Sequence, residues 1–413
     1  MMQLLNDIFS AANPRHQSTG FNTHWGGEKL SFAEYVAATR DKLRQAHAKH
    51  ADENADENAD ENADENADVE KIIEGNAPFE LRPPDENKEG LDKPYLRGIL
   101  LVHGLTDSPY FMRYLGDFYQ AQGFRVMAIL LPGHGTQPGD LLNVTWREWA
   151  DTVAYGIDKL DAEVDEIYLA GFSVGGALSV SHSLLDKRVR GLFLFSPALK
   201  ITPRAALANL HKLYSWLAPS AKWVDIKPDS DLYKYESLTK NAVYQTYLLI
   251  KNLTAQLKVQ PITIPVFTAA SVDDVTVDAS ATIQLMVSAS HPTSHLVLYG
   301  NDLEKKPINF SAEKLEWLNS AFPEQKILSS AHTAIVLPPE DSHYGAKGSY
   351  SNCQHYFPDD MEKYEMCNKH PQRMLQGEIT AENLKLGVMK RLMFNPNFSS
   401  LKISMKKFIE SLP

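Results

Sequence analysis

Ser173 stands at the centre of the pentapeptide Gly-Phe-Ser-Val-Gly (171–175), after the apolar run Ile-Tyr-Leu-Ala and before a third glycine, Gly176. A serine carried on a sharp strand-to-helix turn leaves no room for side chains two positions before or after it. Glycines at both places are therefore what such a turn demands. A serine hydroxyl is a weak nucleophile on its own. It needs a base to take its proton, a carboxylate to orient that base, and fixed donors for the oxyanion that develops in acyl transfer. The pentapeptide alone also suits an ordinary structural turn, so its partners elsewhere in the chain decide the reading.

Upstream, Arg-Gly-Ile-Leu-Leu-Val-His-Gly-Leu-Thr-Asp-Ser-Pro (97–109) reads as a strand ending in a His-Gly turn. The backbone N–H of Val174, directly after the serine, is the first expected oxyanion donor, and that of Leu105, directly after His103-Gly104, is the second. His103 itself is read as a loop histidine that orients the turn. Downstream, the β-prone run 261–271 leads into Val-Asp-Asp-Val-Thr-Val (272–277), where Asp273 and Asp274 are both candidate acids. Gln-Lys-Ile-Leu-Ser-Ser-Ala-His-Thr (325–333) places His332 after a short strand, and this is the expected base; its rival is His343 in Asp-Ser-His-Tyr-Gly. In such a relay the acid fixes the tautomer of the histidine. The histidine takes the serine proton during attack and returns it to the leaving group, by way of an acyl-enzyme.

Taken together, Leu-Val-His-Gly-Leu-Thr-Asp-Ser-Pro (101–109), Leu-Pro-Gly-His-Gly-Thr (131–136), Ala-Gly-Phe-Ser-Val-Gly-Gly (170–176), Ser-Val-Asp-Asp-Val-Thr-Val (271–277) and Ser-Ala-His-Thr (330–333) resemble the α/β-hydrolase superfamily, in its bacterial carboxylesterase and monoacylglycerol lipase branch. The resemblance spans roughly residues 95–340. It implies an α/β-hydrolase fold, with a mostly parallel central sheet flanked by helices and a helical cap inserted after the sixth strand. It selects Asp274 as the acid, because an Asp three residues before a valine, here Val277, is common in these hydrolases. It also implies that the Gly-His-Gly loop around His134 borders the site without joining the catalytic set.

The elements that would position these residues can be read independently. Apolar runs at 98–102, 125–131, 166–170, 191–195 and 264–270 are near-continuous, as in strands covered on both faces. Helix-like stretches separate them, which points to a parallel sheet with right-handed crossovers. A further run, His-Leu-Val-Leu-Tyr-Gly (295–300), also reads as a strand. The strand before His332 is then either this one or 326–329, with 300–324 as an insertion. Between 200 and 258, Leu207, Leu210, Leu213, Tyr214 and Leu217, and then Val243, Tyr247, Ile250, Leu253 and Leu257, recur at helical spacing. They suit ordinary amphipathic helices and, by their position, the lining of an acyl pocket.

The remaining segments read as appendages. Residues 1–50 form an expected helical arm, with 32–47 its helix. Residues 51–68 repeat Ala-Asp-Glu-Asn, without aromatic or β-branched residues, as a disordered or solvated linker, with a solvated helix as the alternative. The nine acidic groups of that repeat carry most of the formal net charge of −11, so the charge says little about the catalytic body, assigned to 69–413. A C-terminal extension is expected at about 338–398, followed by a closing amphipathic helix at 399–412. Cys353 and Cys367, near His355 and His370, could form a disulfide, remain free thiols or, with the two imidazoles, hold zinc; no metal or other cofactor is assigned.

No basic patch suggests nucleic acid, and no apolar stretch is long enough to span a bilayer. The start of the chain lacks the basic and apolar regions of a signal peptide, which makes the cytoplasm the expected location. The expected activity is that of a serine carboxylic ester hydrolase, a carboxylesterase or monoacylglycerol lipase type, on small-molecule esters with a hydrophobic acyl chain. The alternatives are a thioesterase or peptidase with the same triad, and a non-catalytic binding protein whose acidic arm recruits a partner.

Overall fold

A computed structural model describes residues 8, 13–20, 29–54, 62–84, 93–202, 204–208, 219–308, 310–311 and 313–413. Its main sheet has eight strands in the order β1-β3-β2-β4-β5-β8-β9-β10. These are β1 (Phe79–Leu81), β2 (Tyr95–Val102), β3 (Arg125–Ile129), β4 (Val164–Phe172), β5 (Val189–Phe195), β8 (Val266–Ser271), β9 (His295–Tyr299) and β10 (Leu315–Leu318); β6 (Trp223–Asp225) and β7 (Leu238–Thr239) form a separate ribbon, as do β11 (Leu375–Gly377) and β12 (Met389–Arg391). The chain divides into two compact units, Met1–Ile167 with Thr202–Leu249, and Tyr168–Ile201 with Ile250–Pro413, so that β4 begins in one and ends in the other.

In the first unit β2 runs parallel to β3, and β1 pairs antiparallel with the other edge of β3. Every residue of β3 is buried, as its unbroken apolar run requires. Arg125 is the exception in chemistry, and its guanidinium, fully buried, is neutralised by Glu163 at 2.7 Å and by Glu80. The Trp146–Asp161 helix opens with a capping box between Thr145 and Glu148 and buries Trp149, whose indole N–H donates to Pro132 O at 3.0 Å. The N-terminal helix is longer than expected, Phe32–Asn54, and is part of the core: Leu43 clusters with Ile73, Ala77 and Leu130, and the Tyr35 hydroxyl accepts from Leu130 N at 3.0 Å. Both described ends of the Ala-Asp-Glu-Asn repeat lie in helices, this one and Asn62–Asn76, in keeping with the helix propensity of alanine and glutamate; residues 55–61 are outside the described residues.

In the second unit β5, β8, β9 and β10 are parallel in register. The C-terminal helix, Phe398–Glu410, packs Phe408 edge-on against Phe193 at 5.2 Å and beside Phe267 at 5.6 Å. Two expectations change. Strand β10 lies within the stretch read as an insertion, and 326–329 is not a strand: Ile327 makes only isolated bridges, to Phe322 and Gln376. The segment expected as a cap follows β5, the fifth described strand, rather than a sixth; Leu207 is exposed, while Leu210, Leu213, Tyr214 and Leu217 lie outside the described residues. Its second apolar series falls on the helix Lys240–Val259, which buries Ile250 and Leu253.

Cys353 and Cys367 are joined in a disulfide that closes a loop of sequence separation 14. Tyr356 and Met374 pack around it. Among the described residues no group of three or more His, Cys, Asp or Glu is placed to hold a metal, and no helix is long and apolar enough to cross a membrane.

Two buried histidines tie the ends of β2 and β3 together. His103 Nδ1 lies 2.8 Å from Gly104 O, its Nε2 accepts from Leu131 N at 3.0 Å, and its ring meets that of His134 edge-on at 5.0 Å. Burial holds both rings neutral, that of His103 well below the ordinary histidine range and that of His134 down to about 4, with the nearby Lys234 ammonium acting in the same direction. An unfolded chain takes up these protons below about 6.5 and the folded one does not, so folding stability is full above 6.5 and falls as pH drops toward 4. Urea unfolding of the wild type is expected to lose about 1 kcal/mol per pH unit per histidine across that window, and His134→Gln is expected to flatten the fall by one proton's worth. The double variant Cys353→Ser/Cys367→Ser is expected to lose about 3 kcal/mol of unfolding free energy in the same assay, the loop-closure value for a bridge of this span.

Candidate active site

Strand β4 ends at Phe172, and Ser173 turns the chain at φ 53° and ψ −115° before the helix Val174–Leu185 begins. A non-glycine residue held there costs on the order of 1–3 kcal/mol and survives only where its surroundings over-determine it. They do so here. Ser173 N donates to Phe195 O at 2.9 Å, and Ser173 O accepts from Ala198 N at 2.9 Å and Ala177 N at 3.2 Å. A Cβ on Gly171 would lie 2.3 Å from Gly175 O, and one on Gly176 would lie 2.8 Å from Pro197 Cβ, so both glycines are sterically required. Val174 opens the helix, where backbone N–H groups have no intrahelical acceptor.

The loop after β8 carries Asp274, and a 3₁₀ turn, His332–Ala334, carries His332. His332 Nε2 stands 3.0 Å from Ser173 Oγ, and His332 Nδ1 stands 2.7 Å from Asp274 Oδ2. Asp274 Oδ1 accepts from Thr276 N at 2.8 Å and Val277 N at 3.0 Å, which locks a carboxylate only 1% exposed. Phe172 stacks on the imidazole at 5.1 Å. A carboxylate on Nδ1 keeps the proton there and leaves the Nε2 lone pair facing the hydroxyl, the tautomer a general base needs.

The two rival residues are engaged otherwise. Asp273 accepts from Ser320 Oγ at 2.6 Å and from Ser330 N at 3.2 Å, and burial raises its carboxyl pKa. His343 pairs through Nδ1 with Ser349 Oγ at 2.9 Å, while its backbone N–H donates to Asp341.

Leu105 lies in the first unit, on the turn that His103 secures. Its neighbour Thr106 has φ 66°, and Thr106 O accepts from Tyr235 N at 2.8 Å. Thr106 and Asp107 line a cavity of about 530 Å³ within this unit, together with Asn76, Thr136, Lys234 and Tyr235. The Lys234 ammonium bridges Asp107 and, at 2.8 Å, Thr106 Oγ1. The Tyr235 hydroxyl donates to Gly133 O at 3.2 Å and accepts from Thr136 N at 2.8 Å. Sequence reasoning assigned no role to Lys234 or Tyr235, since Leu-Tyr-Lys-Tyr-Glu (232–236) has neither motif nor periodicity to mark it.

Residues 96–301 match the Hydrolase_4 family, described as serine aminopeptidase, S33. Over 109 residues the chain is 33% identical to the thermostable monoacylglycerol lipase of Bacillus sp. (strain H-257), covering 26% of this chain and 44% of the relative. Over 85 residues it is 31% identical to a carboxylesterase of Bacillus subtilis (strain 168), covering 20% and 35%. Over 129 residues it is 28% identical to phospholipase YtpA of the same organism, covering 30% and 50%. The chain thus spans half or less of the length of these curated relatives. A solved structure described with the metagenome-derived lipolytic enzymes LipS and LipT is 21% identical and covers 55% of this chain and 88% of that one, with a TM-score of 0.45. The monoacylglycerol lipase of Paleococcus ferrophilus is 18% identical, covering 54% and 87%, with a TM-score of 0.41. The family match, the mostly parallel sheet with its flanking helices and the strand–serine–helix turn identify the chain as a member of the α/β-hydrolase superfamily, in which it is similar to carboxylesterases and monoacylglycerol lipases.

Proposed function

We propose that this protein is a serine ester hydrolase acting on small-molecule carboxylic esters with a hydrophobic acyl chain. The observation that carries the reading is the unbroken relay from Ser173 Oγ through the His332 imidazole, at 3.0 Å, to Asp274, at 2.7 Å. In the first half-reaction His332 takes the Ser173 proton as Oγ bonds to the substrate carbonyl carbon, and Asp274 balances the imidazolium. The oxyanion is received by the backbone N–H of Val174, at the open start of the helix that follows the serine. The imidazolium then protonates the departing alcohol, leaving an acyl-Ser173 ester. In the second half-reaction water attacks that ester with His332 again as base, and free acid leaves. The printed names of the relatives, a monoacylglycerol lipase, a carboxylesterase and a phospholipase, support an ester as the scissile bond. In this reading 69–413 is the catalytic domain, about 200–258 its cap, and 51–68 a linker ahead of it.

The family description, serine aminopeptidase, favours a second reading in which the same groups cleave an amide. Esters and amides of matched acyl groups separate the two readings.

Hydrolysis of p-nitrophenyl esters from acetate to palmitate is expected to proceed with the wild type, with a maximum beyond acetate. Ser173→Ala is expected to lower kcat by about 10⁴-fold or more, and Asp274→Asn by on the order of 10³–10⁴-fold with KM little changed, because the wrong histidine tautomer then faces the serine. Absence of wild-type turnover on every chain length and on the matched amides would move the protein to a non-catalytic binding role, with the acidic arm as its recruiting segment.

A further inference from the structure

The family match ends at residue 301, and the loop that carries His332 is gripped from both sides by residues of the 338–398 extension. On its entry side, Leu328 N donates to Gln376 O at 2.8 Å and Gln376 N donates to Lys326 O at 2.9 Å. Gly377 packs so closely there that a Cβ would lie 2.8 Å from Ser329 Oγ. Ser329 Oγ in turn accepts from Glu378 N at 3.0 Å and Asn383 Nδ2 at 3.2 Å. On the exit side, Thr333 Oγ1 donates to Leu392 O at 2.9 Å, and Asn395 Nδ2 donates to Ile335 O at 3.1 Å.

Between these two grips sits Glu378, whose side chain is fully buried. One carboxylate oxygen accepts from the backbone N–H of His332 itself, at 3.2 Å. The other accepts from Ile379 N at 2.9 Å and pairs with the Arg391 guanidinium at 3.0 Å. Arg391 belongs to β12, which lies parallel to β11 and whose backbone also bridges to Asn352. Tyr356, packed against the Cys353–Cys367 bridge, accepts through its hydroxyl from Met389 N at 3.1 Å and so fastens the start of β12. A charged acceptor on a backbone N–H is among the stronger hydrogen bonds available. This one is aimed at the single residue whose ring must hold the relay geometry.

We propose that the C-terminal extension is a clasp for the catalytic base, and that Glu378, held by Arg391, is a positioning residue acting through the His332 backbone. Glu378 touches neither the serine nor the reacting atoms. It fixes where the imidazole starts from, and near-attack geometry is steep enough in catalysis that a shift of about 1 Å can cost about 100-fold. The inference rests on the serine-hydrolase reading for its effect on rate, but not for its effect on the loop.

The test compares full-length wild type with Glu378→Ala, Glu378→Gln, Arg391→Gln and, as a control in the same extension, Glu365→Ala, which removes only an exposed pair with Lys369. Two readouts are taken: kcat and KM on the best p-nitrophenyl ester, and amide hydrogen exchange across 326–336. Glu378→Ala is expected to lower kcat by at least about tenfold with KM within about twofold, and to speed exchange at the His332 amide by a similar factor, with Ser173 protection unchanged. Glu378→Gln keeps an acceptor and is expected to recover most of both, while Glu365→Ala behaves as wild type. If Glu378→Ala does not fold, Arg391→Gln is expected to show the same two changes in milder form. Unchanged exchange at His332 in the folded variants overturns the clasp, as does a loss confined to KM. If the wild type itself hydrolyses nothing, the serine-hydrolase reading fails, and the exchange data still decide the clasp.

Discussion

The left-handed turn at Ser173 is the constraint on which the rest of the second unit is arranged. A serine at φ 53° is strained, and three backbone hydrogen bonds, from the end of β5 and the first turn of the following helix, hold it there. Two neighbouring glycines are required by the close packing around this turn: Gly171 cannot carry a Cβ against Gly175 O, nor Gly176 against Pro197. The strain aims the hydroxyl away from the strand, so that one imidazole can meet it. Asp273, next to the relay aspartate in sequence, is anchored away from it on Ser320 and Ser330.

Much of this was legible in sequence because the physics is local. A strand running into Gly-x-Ser-x-Gly-Gly, a β-prone run closing on an aspartate pair, and a histidine at the end of a short apolar stretch each signal a backbone event within about ten residues. The buried strands were equally readable, since a parallel sheet covered on both faces reads as unbroken apolar runs. Choosing between Asp273 and Asp274 was not a local matter: the two differ in which neighbour their carboxylates meet, Ser330 N or the His332 ring, and both neighbours are more than fifty residues away in sequence.

What escaped the sequence has a common physical cause. Strand β10, Leu-Glu-Trp-Leu, is too short to announce itself, and is defined by its pairing with β9. Lys234 and Glu378 are charged residues in unpatterned stretches, and each becomes informative only when its partner is known, Asp107 for one and the His332 backbone with Arg391 for the other. The cysteines left three chemistries open at the level of spacing, and the packing of Tyr356 and Met374 around the pair is that of a buried bridge. The N-terminal helix, expected only as an arm, is anchored by Tyr35 and Leu43 through contacts whose partners lie far along the chain.

The proposed function makes Ser173 a nucleophile activated by His332 and Asp274. Its most direct measurement is covalent capture: full-length protein is incubated with an alkyl fluorophosphonate, and the adduct is located by peptide mass spectrometry in the wild type, Ser173→Ala and Asp274→Asn. The expected result is one phosphonyl group per chain on Ser173, formed much more slowly in Asp274→Asn and absent in Ser173→Ala. An unreactive wild type, or an adduct that persists on another residue after Ser173 is removed, would contradict it.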